Sequence, residues 1–338
     1  MTKNRDSISK GRKKRRGLSR LCALIAVLAL MAGLLSGCSG GKERMMFGTG
    51  GTSGTYYSYG GVIAQYMTNY SDAKVTAVST GGSKVNIQSI QDGDFQLGFT
   101  QSDVMAYAWD GVRAFETDGA THDFRVLGGL YAETVQLFTM DPDIKSVEDL
   151  KGKSVSIGAA GSGVYFNAMD VLSAAGLTID DIKPQYQSFE DSKESLKDGK
   201  IDAAFIVAGP PTTAITELAT TNGVYFINID GDVRDSILAD CPYYTSYEIP
   251  AGTYPGQDEA VQTVAVQATI IVSASMDDDM AYELTAAIFD HTEDIANENA
   301  KGEELSLENA TAGITVPFHE GAARYYKEQG ITVDTKGE

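Results

Sequence analysis

From Arg44 onward, apolar and polar positions switch repeatedly between two periods. Residues 44–47 read as a strand that runs into Gly48-Thr49-Gly50-Gly51-Thr52-Ser53-Gly54. The period then becomes helical, with Val62, Ile63, Tyr66, Met67 and Tyr70 on one stripe. Residues 74–78 alternate as a second strand. Thr80-Gly81-Gly82-Ser83 interrupts them, and Val85, Ile87 and Ile90 follow at helical spacing. Phe95, Leu97 and Phe99 alternate again before a helix that opens at Gln101-Ser102-Asp103. This order of strand, loop and helix predicts parallel strands joined by crossover helices, an α/β fold.

The middle of the chain repeats the theme. Two strands are predicted at 125–130 and 134–140, flanking Tyr131-Ala132-Glu133. Ser146 and Asp149 have capping-box spacing. After a strand at 154–157, Ser162 is expected to cap a helix carrying Tyr165, Met169 and Leu172 and ending at Gly176. A buried strand at 201–207 leads to Gly209-Pro210-Pro211, with Pro211 suited to a first helical turn. A strand is predicted at 224–229. The proline–glycine turns within 249–256 read as the chain's return between two lobes. A long strand at 261–272 and helices at 278–296 and 319–328 complete the pattern. Residues 44–131 with 253–338 are expected to form one lobe, and 132–252 the other.

Two phrases are written twice. Ser53-Gly54-Thr55-Tyr56-Tyr57 recurs as Ser162-Gly163-Val164-Tyr165-Phe166, an offset of 109 residues. Ile90-Gln91-Asp92-Gly93, ending in Phe99, parallels Leu196-Lys197-Asp198-Gly199, ending in Phe205, at an offset of 106. Near-equal offsets predict two lobes on one plan, each opening a helix with Ser-Gly beside a shared cleft.

The N-terminus reads as a processing signal. A basic stretch precedes an apolar run over 21–35, too short to span a bilayer comfortably, and Leu35-Ser36-Gly37-Cys38 fits a bacterial lipobox. Residues 1–37 would be removed, Cys38 would carry lipid on the extracytoplasmic face of the membrane, and 38–43 would serve as tether. The segment removed holds nine Lys/Arg and one Asp, so the remainder carries about −27 against −19 for the whole chain. That acidity argues against nucleic acid or anionic lipid as partner. Cys241 is then left without a partner in the chain, as a buried structural thiol or, in the minority reading, a reactive one.

Few residues offer catalytic chemistry. His122, His291 and His319 stand apart, no His/Cys/Asp cluster has metal spacing, and Gly161-Ser162-Gly163 is too short for a nucleophile elbow. Asp277-Asp278-Asp279 suits a helix start, with a calcium site as the alternative. Trp109 is either core or interface. The Gly-rich loop at 50–54 lacks the Lys-Ser/Thr ending of a P-loop. No metal or cofactor is therefore expected. What remains is binding. Helix starts leave N–H groups unpaired and carry partial positive charge, and glycine admits a ligand close to them. A Ser-Gly start is also a plain N-cap, so its recurrence in both halves is what favours a ligand. Thr52, Ser53, Gly54, Gly82, Ser83, Ser162 and Gly163 are candidates on this ground. Asn86, Gln101 and Ser102 lie near strand carboxyl ends, where open α/β sheets bind ligands. Tyr131 would meet the ligand or brace the hinge, and Pro210 closes another strand end.

These motifs, with Asp149-Leu150-Lys151-Gly152-Lys153-Ser154-Val155 and Pro317-Phe318-His319-Glu320-Gly321-Ala322, resemble the TAXI family over nearly all of the chain past Cys38. TAXI proteins are the solute-binding components of tripartite ATP-independent periplasmic (TRAP) transporters. The resemblance implies a two-lobed fold of the type II periplasmic-binding-protein kind with the ligand cleft between lobes. It implies a small anionic solute (glutamate, 2-oxoglutarate or a related dicarboxylate), a membrane permease as partner, a monomer, and no catalysis. Pro317 is followed here by Phe318, where the family often has His directly. No arginine is marked to pair with a ligand carboxylate, and Lys84 and Arg125 are the candidates. A ligand sensor for a membrane signalling partner, or a secreted enzyme on the same fold, are the alternatives.

Overall fold

The computed structural model describes residues 42–337. The signal segment, Cys38 and most of the tether lie outside the described residues. The chain begins β1 (Glu43–Gly48), α1 (Thr55–Tyr70), β2 (Ala73–Val78), α2 (Ser83–Gln91), β3 (Leu97–Gln101) and α3 (Ser102–Asp110). A long strand, β4 (Phe124–Thr139), follows. Then come β5 (Ser154–Ser156), α4 (Gly163–Ala174), β6 (Lys183–Gln185), α5 (Phe189–Lys197), β7 (Ala203–Ala208) and α6 (Thr213–Thr221). The remainder is β8 (Tyr225–Ile227), α7 (Gly231–Asp240), β9 (Thr245–Ile249), β10 (Val261–Ser273), α8 (Asp278–Phe289), α9 (Thr292–Glu298), α10 (Leu307–Thr311) and α11 (Glu320–Glu328).

The strands run in the order β2-β1-β3-β10-β4-β7-β5-β6. Within it β1 pairs in parallel with β2 and β3, and β5 in parallel with β6 and β7. The two phrases therefore fall on equivalent places, α1 with α4 and the α2–β3 corner with the α5–β7 corner. That is the two-lobe plan the repeats predict.

The core divides between Tyr131 and Val135 and again between Val266 and Ala268. One apolar cluster takes Met45 through Tyr131 and then Ala268 through Tyr326. Two others take Val135 through Val266 and pack both faces of the second half-sheet. The boundaries sit inside β4 and β10, so these two antiparallel strands pass from one core to the other without a break. Two expectations are corrected here. The segment 125–140 is one strand of 16 residues, because Tyr131, Ala132 and Glu133 stay extended, with Glu133 opposite Val266 and Ala132 opposite Gln267. The turns within 249–256 are not the return crossing. They join β9 to β10 as a hairpin in the second lobe, and β10 itself makes the return near Gln267.

Smaller departures have local causes. The helix predicted at 278–296 breaks at Asp290–His291 into α8 and α9. Pro211 precedes α6 rather than opening it, since Thr212 is the N-cap. The Ser146–Asp149 pair forms half a capping box: Asp149 Oδ2 accepts the N–H of Ser146 at 3.0 Å. Among the described residues no helix is long and apolar enough to cross a membrane.

Candidate ligand-binding site

The carboxyl ends of β1, β2 and β5 each lead through a short loop into the start of a helix, β3 runs directly into α3, and these starts meet between the lobes. They enclose a cavity of about 120 Å³. A hydrocarbon-lined cavity of ~150 Å³ holds benzene, so this is room for a small metabolite. From the first lobe the walls are Gly50, Gly51, Gly54–Tyr56, Thr80–Ser83 and Gln101. From the second they are Ala159, Ser162–Val164, Ser188, Phe189, Val207 and Ala208, and Glu133 enters from the crossing strand β4.

Helix starts dominate this lining. The N-cap residues of α1, α2 and α4 are Gly54, Gly82 and Ser162, and none makes a side-chain cap. Ser162 was expected to cap α4, but its hydroxyl donates to the carbonyl of Ala159 at 2.7 Å. Gly82 sits at φ 96°, a conformation that favours glycine and carries the chain from Thr80 into α2 without a side chain over the helix end. The first-turn N–H groups of three helices are thus left toward the cavity, with their partial positive charge.

Opposite them lie unpaired acceptors. Gln101 and Glu133 are each 2% exposed. Gln101 Oε1, Glu133 Oε1 and the Tyr56 hydroxyl have no hydrogen-bond partner. The orientation of the Gln101 amide follows from its neighbours. Its Nε2 donates to Asn167 Oδ1 at 3.1 Å, and Asn167 Nδ2 in turn donates to Asp103 Oδ2 at 2.9 Å. Gln101 Oε1 therefore turns away from this chain and against Gly163, where a Cβ would stand 1.5 Å from it.

Burial pushes the Glu133 carboxyl up to about 8, with Tyr131 and Lys301 opposing the shift and Asp103 and Glu304 adding to it. It pushes Asp103 up to about 7 against the hydrogen bonds of Val104 and Asn167. No lysine or arginine lines the cavity. Both candidates are engaged elsewhere: Lys84 pairs with Asp118 at 2.7 Å, and Arg125 donates to the carbonyls of His122 and Phe124.

The lobes are drawn together. Thr55 Oγ1 donates to Gly209 O at 2.8 Å, the Ala214 N–H donates to Ser53 O at 3.2 Å, and Arg113 pairs with Asp170 at 2.6 Å. Asn167 also reaches the Tyr244 hydroxyl, which donates to Asp170. This buried polar run joins α3 of one lobe to α4 of the other directly behind the cavity.

Of the residues singled out in the sequence, Gly54, Gly82, Ser83, Gln101, Ser162 and Gly163 line the cavity. The others do not. Asn86 is fully buried and holds loops together through Thr49 O, Phe99 O and the Thr80 hydroxyl. Ser102 accepts the Gln267 N–H beside the return crossing. Tyr131 packs edge-on against Tyr59, outside the cavity. Thr52 is exposed, and Ser53 contributes its carbonyl to the lobe contact. Pro210 is buried behind the wall. Glu133 was missed. Its signal was a single carboxylate in a run of sixteen largely buried strand residues, and reading Tyr131-Ala132-Glu133 as a connection between strands concealed it.

Cys241 is buried, and burial raises its thiol. Trp109 packs on His122 and Phe124 in the first lobe. Asp277 caps α8, and among the described residues no group of His, Cys, Asp or Glu is placed to hold a metal.

Two lobes on repeated parallel units, joined by two crossing strands, define the fold of the type II periplasmic binding proteins. The chain belongs to the NMT1-like family, whose pattern matches residues 47–330. Among solved structures it is similar to a protein of Bordetella bronchiseptica RB50 at 14% identity, covering 85% of this chain and 89% of that one, with a TM-score of 0.53. It is also similar to the periplasmic aliphatic sulphonate binding protein SsuA of Escherichia coli at 18% identity, covering 85% and 90%, with a TM-score of 0.44. A third similar structure is PhnD1 of Prochlorococcus marinus in complex with methylphosphonate, at 10% identity, covering 73% and 84%, with a TM-score of 0.49.

Proposed function

We propose that this chain is an extracytoplasmic solute receptor. It captures a small carboxylate, such as glutamate, 2-oxoglutarate or a related dicarboxylate, and delivers it to a TRAP-type permease while tethered by lipid at Cys38. The observation that carries the reading is the cavity between two lobes into which three uncapped helix starts open. Such starts bind an anion through backbone N–H groups and need no cationic side chain, and the lining has none. Bending at Tyr131–Thr134 and near Gln267, where two strands alone link the cores, would open the cavity to solvent.

The test is thermal unfolding of the chain from residue 39 against amino acids, dicarboxylates, keto acids, sugars and phosphates. A ligand at about 100 times its dissociation constant stabilises by ~2.7 kcal/mol, a clear rise in midpoint. A rise with a carboxylate supports the reading. A rise confined to sugars overturns the solute class, and no rise with any member overturns the receptor.

A further inference from the structure

Two atoms of the cavity are left over by anion binding at the helix starts. Gln101 Oε1 and Glu133 Oε1 are buried there without a hydrogen-bond partner. An unsatisfied buried acceptor costs about 1–3 kcal/mol, so a solute that brings N–H donors to both gains what the empty protein forgoes. The cavity is polarised: backbone donors stand on the glycine loops, and acceptors stand on Gln101 and the crossing strand.

We propose that Glu133 is the specificity-determining residue of the cavity and selects solutes that carry an ammonium group beside their carboxylate, so that an amino acid is preferred to the keto acid of the same skeleton. This rests on the solute-receptor reading and names its substrate class. An ammonium offers three donors, enough for both orphaned oxygens, whereas a keto oxygen only accepts: it can take the O–H of a neutral Glu133 but leaves Gln101 Oε1 unsatisfied.

The selection involves a proton. The charged and titratable groups facing Glu133 are Tyr131 on its own strand, Tyr56 from α1, Asp103 from α3, and Lys301 and Glu304 from the turn at 300–304. Burial outweighs them and favours the protonated carboxyl of Glu133. An ammonium in contact favours the carboxylate, so the Glu133 proton leaves for the solvent as the ion pair forms. A keto acid leaves that proton in place.

The experiment is titration calorimetry of the chain from residue 39 at pH 7, in phosphate and in Tris, with L-glutamate against 2-oxoglutarate and L-alanine against pyruvate. The expected result is that the amino member of a pair binds roughly tenfold tighter or more, which is ~1.4 kcal/mol per decade. Its enthalpy should differ between the buffers by the release of up to about one proton. Glu133→Gln should bring the pair within about threefold and remove the buffer dependence. Should that variant not fold, the buffer dependence of the wild-type protein decides alone. Equal or tighter binding of the keto acid, or amino-acid binding without proton release, overturns the proposal. Binding of succinate with no response to any amino acid also overturns it while sustaining a solute receptor. Silence of every solute overturns both.

Discussion

Helix starts on the outer surface and those at the cleft are built differently. Away from the cleft, Asp277 closes α8 by accepting from Asp279 and Met280 at 2.9 and 3.2 Å, and the buried His319 closes α11 by accepting from Gly321 at 3.2 Å. Ser188, although it lines the cavity, also caps its helix, α5, accepting from Asp191 at 3.1 Å. At the cleft, α1, α2 and α4 have no such closure, although Ser162 is a residue type able to provide it. α6, α7 and α9 start outside the cavity lining and depart from the rule, Thr212, Asp230 and His291 making no cap bond. A good cap is worth about 1 kcal/mol of stability. On the solute-receptor reading, three helices that forgo one around a single cavity leave that stability for a ligand to supply.

The comparison breaks most sharply at Gly163, the N1 residue of α4. A methyl there would stand 1.5 Å from Gln101 Oε1 and 2.4 Å from its Cδ. The amide must then swing into the cavity or give up its bond to Asn167. Gly163→Ala is expected to weaken binding of the cognate solute about 100-fold, ~2.7 kcal/mol, measured by calorimetry. Gly61→Ala is the control. That residue lies in α1 with open space around it, so the change should stabilise by about 0.4–1 kcal/mol and leave binding alone. Equal effects at the two positions would show that the cleft start is an ordinary one.

Both Gly163 and Glu133 line the cavity, and why the sequence singles out only Gly163 is a matter of which signals are local. Strands and helices follow from apolar periods. The Ser-Gly starts follow from a phrase written twice, and six of the twelve candidate residues line the cavity. Periodicity could not show that β4 continues through Tyr131–Glu133. What holds those residues extended is their pairing with Val266 and Gln267, more than a hundred residues away. Asn86 was misplaced for the opposite reason. A polar residue one turn into a helix at a strand end resembles a ligand contact, and only the fold shows its amide spent on Thr49 O and Phe99 O. Pairing between remote segments decides both cases.

A smaller effect sharpens the contrast between capped and open starts. Asp277→Ala removes two accepted N–H bonds and should cost about 1 kcal/mol, within 0.5–2, with solute affinity unchanged. Ser162→Ala removes only a hydroxyl bonded to Ala159 O, so its loss should be near the lower end of that range. Chemical unfolding of the two variants side by side reads the difference. A larger loss for Ser162→Ala would mean that its hydroxyl supports α4 after all.

The smallest effect concerns the outer cap made by a titratable group. His319 Nδ1 accepts the Gly321 N–H, so the ring proton is on Nε2, which donates to Met276 O at 3.0 Å. A second proton would fall on the accepting nitrogen and break the cap. Burial lowers the His319 value below 6.5, with Arg125 adding to the shift and Asp278 opposing it. The unfolded chain therefore takes up the proton first as pH falls. Stability from this cap is complete above about pH 6.5 and is lost as pH drops through the lower folded value. His319→Asn keeps a capping residue and does not titrate. Between pH 7.5 and 5 the unfolding midpoint of the wild-type protein should fall further than that of the variant, and the difference isolates His319 from other groups titrating in that range. Parallel midpoints would mean that the ring keeps its cap when charged. The cleft starts, made from backbone alone, have no such dependence of their own, and the pH response there belongs to Glu133 and Asp103.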